Sequence, residues 1–538
     1  MEATNAADPR QRPAAPVAGE PRRSGDDRSD AAWLARNSAI VFAGAFVGQG
    51  LLFVSQIVLA RLLGPAQFGL YGIGWTSLQL VCPVATLGLD SGVIYGASIG
   101  DQSDIGRRRD VLLQSLILGL LAGGAIGAAA YAGAPWLSAK VFGKSQLTAV
   151  IRRFSLALPF VTGGMVAVAS TKLSMSLVYS TCIQSFTQPG LNLLLLTIGL
   201  YFLHWRLMGA IAAAVIASVL SMSLALYFVF RLFWPTLRSR DKMRSYVGEL
   251  LAFSLPTSIA SALGNLINRV DRLIVGAFLP AAEVGIYVAA SQTSSLFAIV
   301  PDIFSQVITA RVTDLYARGE IRRLDELYKV SAKWCFYMAM PLFLAVCAAP
   351  GGVLEIFYGV PYRPGALPLV LLCLGSMSDP VIGAAPPVLI FSGHQKLMGL
   401  ISASSLVTVI VLNIVLVPRF GMMGGAISTA LVQGGMPFCQ LLAVKRFIGI
   451  WPYDRRWLKG LKATVCTAAG LWLLRIWMGT SAWYAPIPNL IVAEGIFWAV
   501  LLLSGLDPED KSFLWRNPEL TLKANANTRS SSASGGQL

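Results

Sequence analysis

Apolar positions run along this chain in long unbroken stretches, and the polar positions are confined to short gaps between them. A helix needs about 20 mostly apolar residues to cross a bilayer. On that measure the pattern predicts fourteen spans, at approximately 38–60, 68–93, 111–133, 151–173, 176–203, 208–232, 250–279, 284–310, 331–349, 366–391, 396–417, 422–445, 459–479 and 485–505. Both ends of the chain are polar and poor in bulky apolar residues, so 1–36 and 507–538 are expected to be disordered tails. The polar start offers no apolar signal-peptide core, and no cleavable signal is expected before the first span.

Composition agrees with that pattern. Residues of apolar type make up 55% of the chain and charged residues 13%, where a soluble globular chain carries roughly a quarter charged. No polar gap is long enough to bury a core of its own. The expected fold class is therefore all-α and polytopic, with the working parts inside the bilayer.

The net charge of +16 raises the question of nucleic acid, and the placement of the basic residues answers it. With the N-terminus inside, 32 of the 43 Lys and Arg residues fall on the cytoplasmic side, including Arg107, Arg108 and Arg109, and Arg318, Arg322 and Arg323. Nine fall on the other side, and Arg269 and Arg272 lie within a span. This asymmetry is an orientation signal. It implies cytoplasmic termini and requires no nucleic acid partner.

The seven cysteines lie in or at the ends of apolar stretches without Cys-x-x-Cys spacing, and His204 and His394 are isolated. They read as packing residues, with no metal centre expected. No phosphate-binding glycine motif appears, so no cofactor is expected and any driving force has to come from an ion gradient or the cargo's own turnover.

The chain repeats itself internally. LLGPAQFGLYGI (62–73) resembles FLPAAEVGIYVA (278–289), which places Gly69 against Gly285 at an offset of 216; Gly209-Ala210-Ile211 and Gly425-Ala426-Ile427 share that offset. Each repeat holds six spans, so both halves enter the membrane in the same sense and their pseudo-two-fold axis runs along the membrane normal. The expected organisation is an N-lobe over 37–232, a cytoplasmic linker over 233–249, a C-lobe over 250–446 and two accessory helices over 447–506. A Gly-x-x-x-Gly-x-x-x-Gly face at Gly119, Gly123 and Gly127 is expected to serve close helix packing.

The runs ARLLGPAQFGLYG (60–72), LGLDSGVIYG (87–96), VDRLIVGAFLPAAEVGIYVAA (270–290) and LNIVLVPRFGMMGGAIS (412–428) resemble the Wzx-type polysaccharide and O-antigen flippases of the multidrug/oligosaccharidyl-lipid/polysaccharide exporter superfamily. That resemblance implies a two-lobed exporter in the bacterial inner membrane. It implies alternating-access movement of a prenyl-pyrophosphate-linked oligosaccharide to the outer leaflet, for exopolysaccharide or lipopolysaccharide. Polysaccharide polymerase and chain-length regulator proteins are the implied partners.

Charged residues inside the spans are the candidate machinery, because each is expensive there. Arg269 and Arg272 lie three apart and share a helix face. They are expected to line the cavity between the lobes and to engage a diphosphate, with Asp271 positioning one of them; guanidinium meets phosphate bidentately as lysine cannot. The competing reading places Arg269 about 30 Å along its helix, at the outer interface, where it snorkels. Arg61, at the outer end of the first span, is a further candidate for substrate binding. Asp379, near Pro380, Pro386 and Pro387, and Asp302, beside Pro301, are candidates for coupling to a proton or sodium gradient, against the alternative of hydrogen bonding to a neighbouring helix. Asp90 reads as an interfacial turn residue.

A multidrug cation antiporter of the same superfamily is the nearest alternative, although the clearest charge cluster has two arginines to one aspartate. An integral membrane polymerase or ligase is a second alternative. Its best outer loop, EIFYGVPYRPG (355–365), offers Glu355 without an obvious carboxylate partner. The expectation is a transporter and not an enzyme.

Overall fold

In the computed structural model, residues 26–99, 104–174, 177–202, 204, 206–238, 243–478 and 485–505 are described, and every regular element among them is helical. The first helix, Asp26–Thr86, begins inside the segment expected to be a disordered tail. Its second stretch, Ala-Ala-Trp-Leu-Ala at 31–35, is rich in residues that extend a helix readily. Residues 1–25 and 507–538 lie outside the described residues.

Among the described residues, eleven helical stretches are long and apolar enough to cross a bilayer. The first, Gly44–Ser98, is 55 residues long and takes in two of the expected spans. It breaks at Gly64, whose φ of 71° lies in the left-handed region, followed by Pro65. The expected spans at 176–203 and 459–479 are helical, from Leu177–Thr181 to Ile198–Phe202 and as Trp457–Met478, but neither is among the eleven.

The two repeats meet at the glycines that defined them. A Cβ on Gly69 would overlap the carbonyl oxygen of Ala281, and one on Gly285 would overlap that of Pro65. Pro65 and Ala281 are themselves 216 apart, so the contact is reciprocal, as a two-fold relation demands. Gly72 lies against its own equivalent, with 3.3 Å from its Cβ position to the Val288 side chain, which puts the axis beside that pair.

Elsewhere small residues let helices approach in the same way. Gly119, Gly123 and Gly127 pack on the helix Leu158–Thr171, where Thr162 donates to the Gly119 carbonyl at 2.9 Å. The last two helices, Trp457–Met478 and Pro486–Leu503, pack on Ile321–Ala348 through aromatic contacts such as Tyr337 with Phe497 at 6.1 Å.

Breaks in the helices fall where the charges are. Val247–Ile267 ends at Asn268, Arg269 adopts φ −139°, and Val270–Phe278 begins anew. The tenth expected span is interrupted at Gly383, with φ 75°, four residues after Asp379. Pro386 and Pro387 then start the next short helix, Ala385–Leu389, where a missing N–H costs nothing. A further left-handed glycine, Gly393, separates it from Gln395–Phe420.

Candidate substrate cavity

A cavity of about 740 Å³ lies between the halves of the molecule, lined by residues of both. That volume is in the range of sites that hold a sizeable organic ligand. Arg269, Asp271 and Arg272 line it, and so do Asp302 and Asp379. Five of the six charged candidates thus converge on one space.

The break at Asn268 is what turns Arg269 inward. Its Nη1 donates to Gln79 Oε1 across the cavity mouth, while its Nε is buried without a hydrogen-bond partner. Arg272 is 8% exposed and donates from Nε and Nη2 to Ser291 Oγ, at 3.3 and 3.0 Å. Among the described residues neither guanidinium is in an ion pair. Two guanidiniums thus share the cavity lining with three carboxylates, and neither meets one of them at ion-pair distance.

Among the described residues Asp271 makes no hydrogen bond or ion pair with either arginine. Its Oδ2 accepts from Tyr287 Oη at 2.7 Å and from Thr429 Oγ1 at 3.5 Å, and its Oδ1 is buried without a partner. The helix geometry explains the difference: Asp271, at 4% exposure, points toward Ala281–Ser294 and Met422–Phe447 rather than along its own helix.

Asp302 and Asp379 open onto the cavity and lie close enough for their charges to interact. Asp302 is near the start of Leu296–Ala317, and Asp379 is in the five-residue helix Ser378–Ile382. The two carboxylates come from separate spans of the same half.

Arg61 lies apart from the cavity lining. Its Nε donates to the Phe357 carbonyl at 2.8 Å and its Nη2 to the Ile356 carbonyl, both in the last turn of Pro350–Tyr358. A helix end presents unsatisfied carbonyls, and a cation there completes them. Tyr362 adds a bond from its hydroxyl to the Ala60 carbonyl at 2.9 Å. At a second place on this predicted outer face, Lys144 Nζ donates to the Gly276 carbonyl at 2.5 Å, near the end of Val270–Phe278. Partial burial lowers the pKa of that ammonium, since charge is costly where water is scarce. Arg61 and Lys144 both tie the first repeat to the second through helix-terminal carbonyls.

Sequence reasoning missed the uncharged polar lining. Gln49, Leu52, Phe53 and Gln56 follow one helical face, and Gln184, Gln188 and Asn192 follow another at spacings of four; both sets line the cavity. The spacing was there to be read, but amides carry no charge and drew no notice beside the arginines. Ser291 and Thr429, which with Tyr287 hold Asp271 and Arg272, gave no sequence signal, and Tyr287 stood out only as part of the repeat.

Residues 58–366, more than half the chain, match a family described as polysaccharide biosynthesis protein. A probable low-salt glycan biosynthesis flippase of Haloferax volcanii, Agl15, is 23% identical over 414 residues, which cover 74% of this chain and 80% of that protein. The lipid II flippase MurJ in an inward closed conformation superposes with a TM-score of 0.69 at 12% identity, over 89% of this chain and 99% of MurJ. An inward-facing multidrug resistance transporter of the MATE family superposes with a TM-score of 0.58 at 16% identity, over 74% and 94%. The chain belongs to the polysaccharide biosynthesis protein family and is built on the fold of the exporter superfamily that includes MurJ and the MATE transporters.

Proposed function

We propose that this protein is a flippase that carries a prenyl-pyrophosphate-linked oligosaccharide from the cytoplasmic to the outer leaflet of a bacterial inner membrane, by alternating access, for surface polysaccharide synthesis. The observation that carries the reading is the pair Arg269 and Arg272, held on a cavity wall without a carboxylate in ion-pair contact. An anionic diphosphate gives these guanidiniums the ion-pair partner that no carboxylate of the lining provides, and each keeps donors free to meet its oxygens. The lipid tail stays in the bilayer while the headgroup occupies the cavity, so the chain breaks no covalent bond.

Asp302 and Asp379 supply the coupling site in this reading. A proton or sodium ion bound between them biases the lobes only if its affinity differs between the two states. The same pair favours a second reading, export of organic cations, which carboxylates attract. Vesicles reconstituted with the full chain separate the two. A labelled prenyl-diphosphate oligosaccharide should cross at a rate that falls at least tenfold in Arg269→Gln/Arg272→Gln, with protein abundance unchanged. Equal rates in variant and wild type, or transport of a quaternary ammonium dye in place of the lipid, reject the flippase.

A further inference from the structure

The cavity has two chemically different walls. All five of its Asp, Glu, Lys or Arg lining residues come from the second half, and the first-half lining holds none. In their place stand Gln49 and Gln56 on one helix and Gln184, Gln188 and Asn192 on another, with Trp75 beside them. Among the described residues none of these five amides is hydrogen-bonded to protein, and the Asn192 Oδ1 is buried without a partner. Such a set of cavity-lining amides on two helices of one wall offers donors and acceptors together, which suits a ligand rich in both.

We infer that this amide wall is the glycan subsite and that the glycan it takes is uncharged. The inference rests on the proposed flippase function and names the class of sugar. Each amide offers two N–H donors and an acceptor oxygen, which matches hydroxyls that both give and accept. Trp75 is stacked on Tyr71, at 6.3 Å between rings and 15° between planes, and Phe154 supports it at 5.9 Å. Its indole is thereby held in place in the cavity lining, and the electron-rich face of a ring suits the polarised C–H face of a pyranose. An acidic sugar would find no cation on this wall and would share the cavity with Asp302 and Asp379. The diphosphate sits on the arginines, and the sugars extend from it along the amides.

The test measures binding of three probes to the full chain in nanodiscs: a bare prenyl diphosphate, the same lipid carrying an uncharged trisaccharide, and the same lipid carrying a uronate-containing trisaccharide. The neutral glycolipid should bind at least tenfold more tightly than the bare lipid, and the uronate form more weakly than the neutral one. In Gln184→Leu/Gln188→Leu the tenfold gain should vanish while bare-lipid affinity stays within twofold. Gln49→Leu/Gln56→Leu, on a different helix, gives the same comparison if the first variant fails to fold. A gain that survives both double variants, no gain in wild type, or tighter binding of the uronate form overturns the inference and leaves the flippase standing. Failure of the wild type to bind any of the three lipids removes the proposed function and the subsite with it.

Discussion

Gly69 and Gly285 occupy equivalent positions in the two repeats and press against each other's helices, each with its Cα against a backbone carbonyl of the opposite half. No side chain fits at either place. Replacing either by alanine should force the two helices apart, and overpacking of a close contact costs about 1–3 kcal/mol. Because both glycines serve one interface, Gly69→Ala/Gly285→Ala should cost less than the two single effects added together. Thermal unfolding of the purified single and double variants in detergent checks both points, and strict additivity would show that the two contacts are independent.

Tyr287 and Asp271 predict a separation of folding from transport. Tyr287→Phe removes the 2.7 Å donor to Asp271 and leaves that carboxylate with Thr429 at 3.5 Å. A buried acceptor deprived of its partner costs about 1–3 kcal/mol. The variant should unfold at lower temperature, yet its translocation rate per folded molecule should stay near wild type, because Arg269 and Arg272 keep their contacts with Gln79 and Ser291. A normal unfolding temperature with lost transport would move Tyr287 into the substrate path.

How much of this was legible in the sequence depended on what kind of signal each feature leaves. Hydropathy gave the helices because a bilayer admits little else. The repeat gave the two-fold contact because Gly69 and Gly285 are matched at the points where each helix meets a backbone carbonyl of the other half. Arg269 and Arg272 stood out as charges in an apolar run, but whether they faced lipid, water or cavity turned on a break at Asn268–Arg269 that no proline or glycine announces. Asp271 could be read either as a partner of the arginines or as pairing within the bundle, because sequence neighbours suggest the first, whereas its hydrogen-bond donors, Tyr287 and Thr429, lie on helices more than ten positions away. Arg61 gave no hint of its carbonyl contacts, since helix ends offer partners that have no side-chain identity.

Arg61 and Lys144 are expected to hold the predicted outer face shut. Each donates to carbonyls at the end of a second-half helix. Arg61→Ala should leave binding of a prenyl diphosphate from the cavity side intact, since Arg61 is not part of the cavity lining, while letting the outer face open more often. A cysteine placed at Gln79 in this background should react faster with a membrane-impermeant thiol reagent added outside, and Arg61→Ala/Lys144→Ala should react faster still. The seven native cysteines require replacement first. Unchanged labelling in the double variant would show that the contacts do not bear on opening.

Asp379 and Asp302 yield the last prediction. Ion coupling and substrate movement are separable: a flippase that has lost its ion site can still equilibrate its cargo between leaflets, but cannot drive it uphill. Asp379→Asn keeps the shape of the side chain and removes one of the two interacting charges. In vesicles with an imposed proton or sodium gradient, wild type should accumulate labelled glycolipid in one leaflet beyond the equal distribution. Asp379→Asn should reach equal distribution at a similar rate and go no further, and Asp302→Asn should behave alike, because removing either carboxylate dismantles the same site. Gradient-driven accumulation that persists in both variants excludes the pair as the coupling site. Loss of equilibration as well would instead assign these carboxylates to the passage of the substrate itself, and the persistence of arginine-dependent binding in the same variants distinguishes that result from a folding defect.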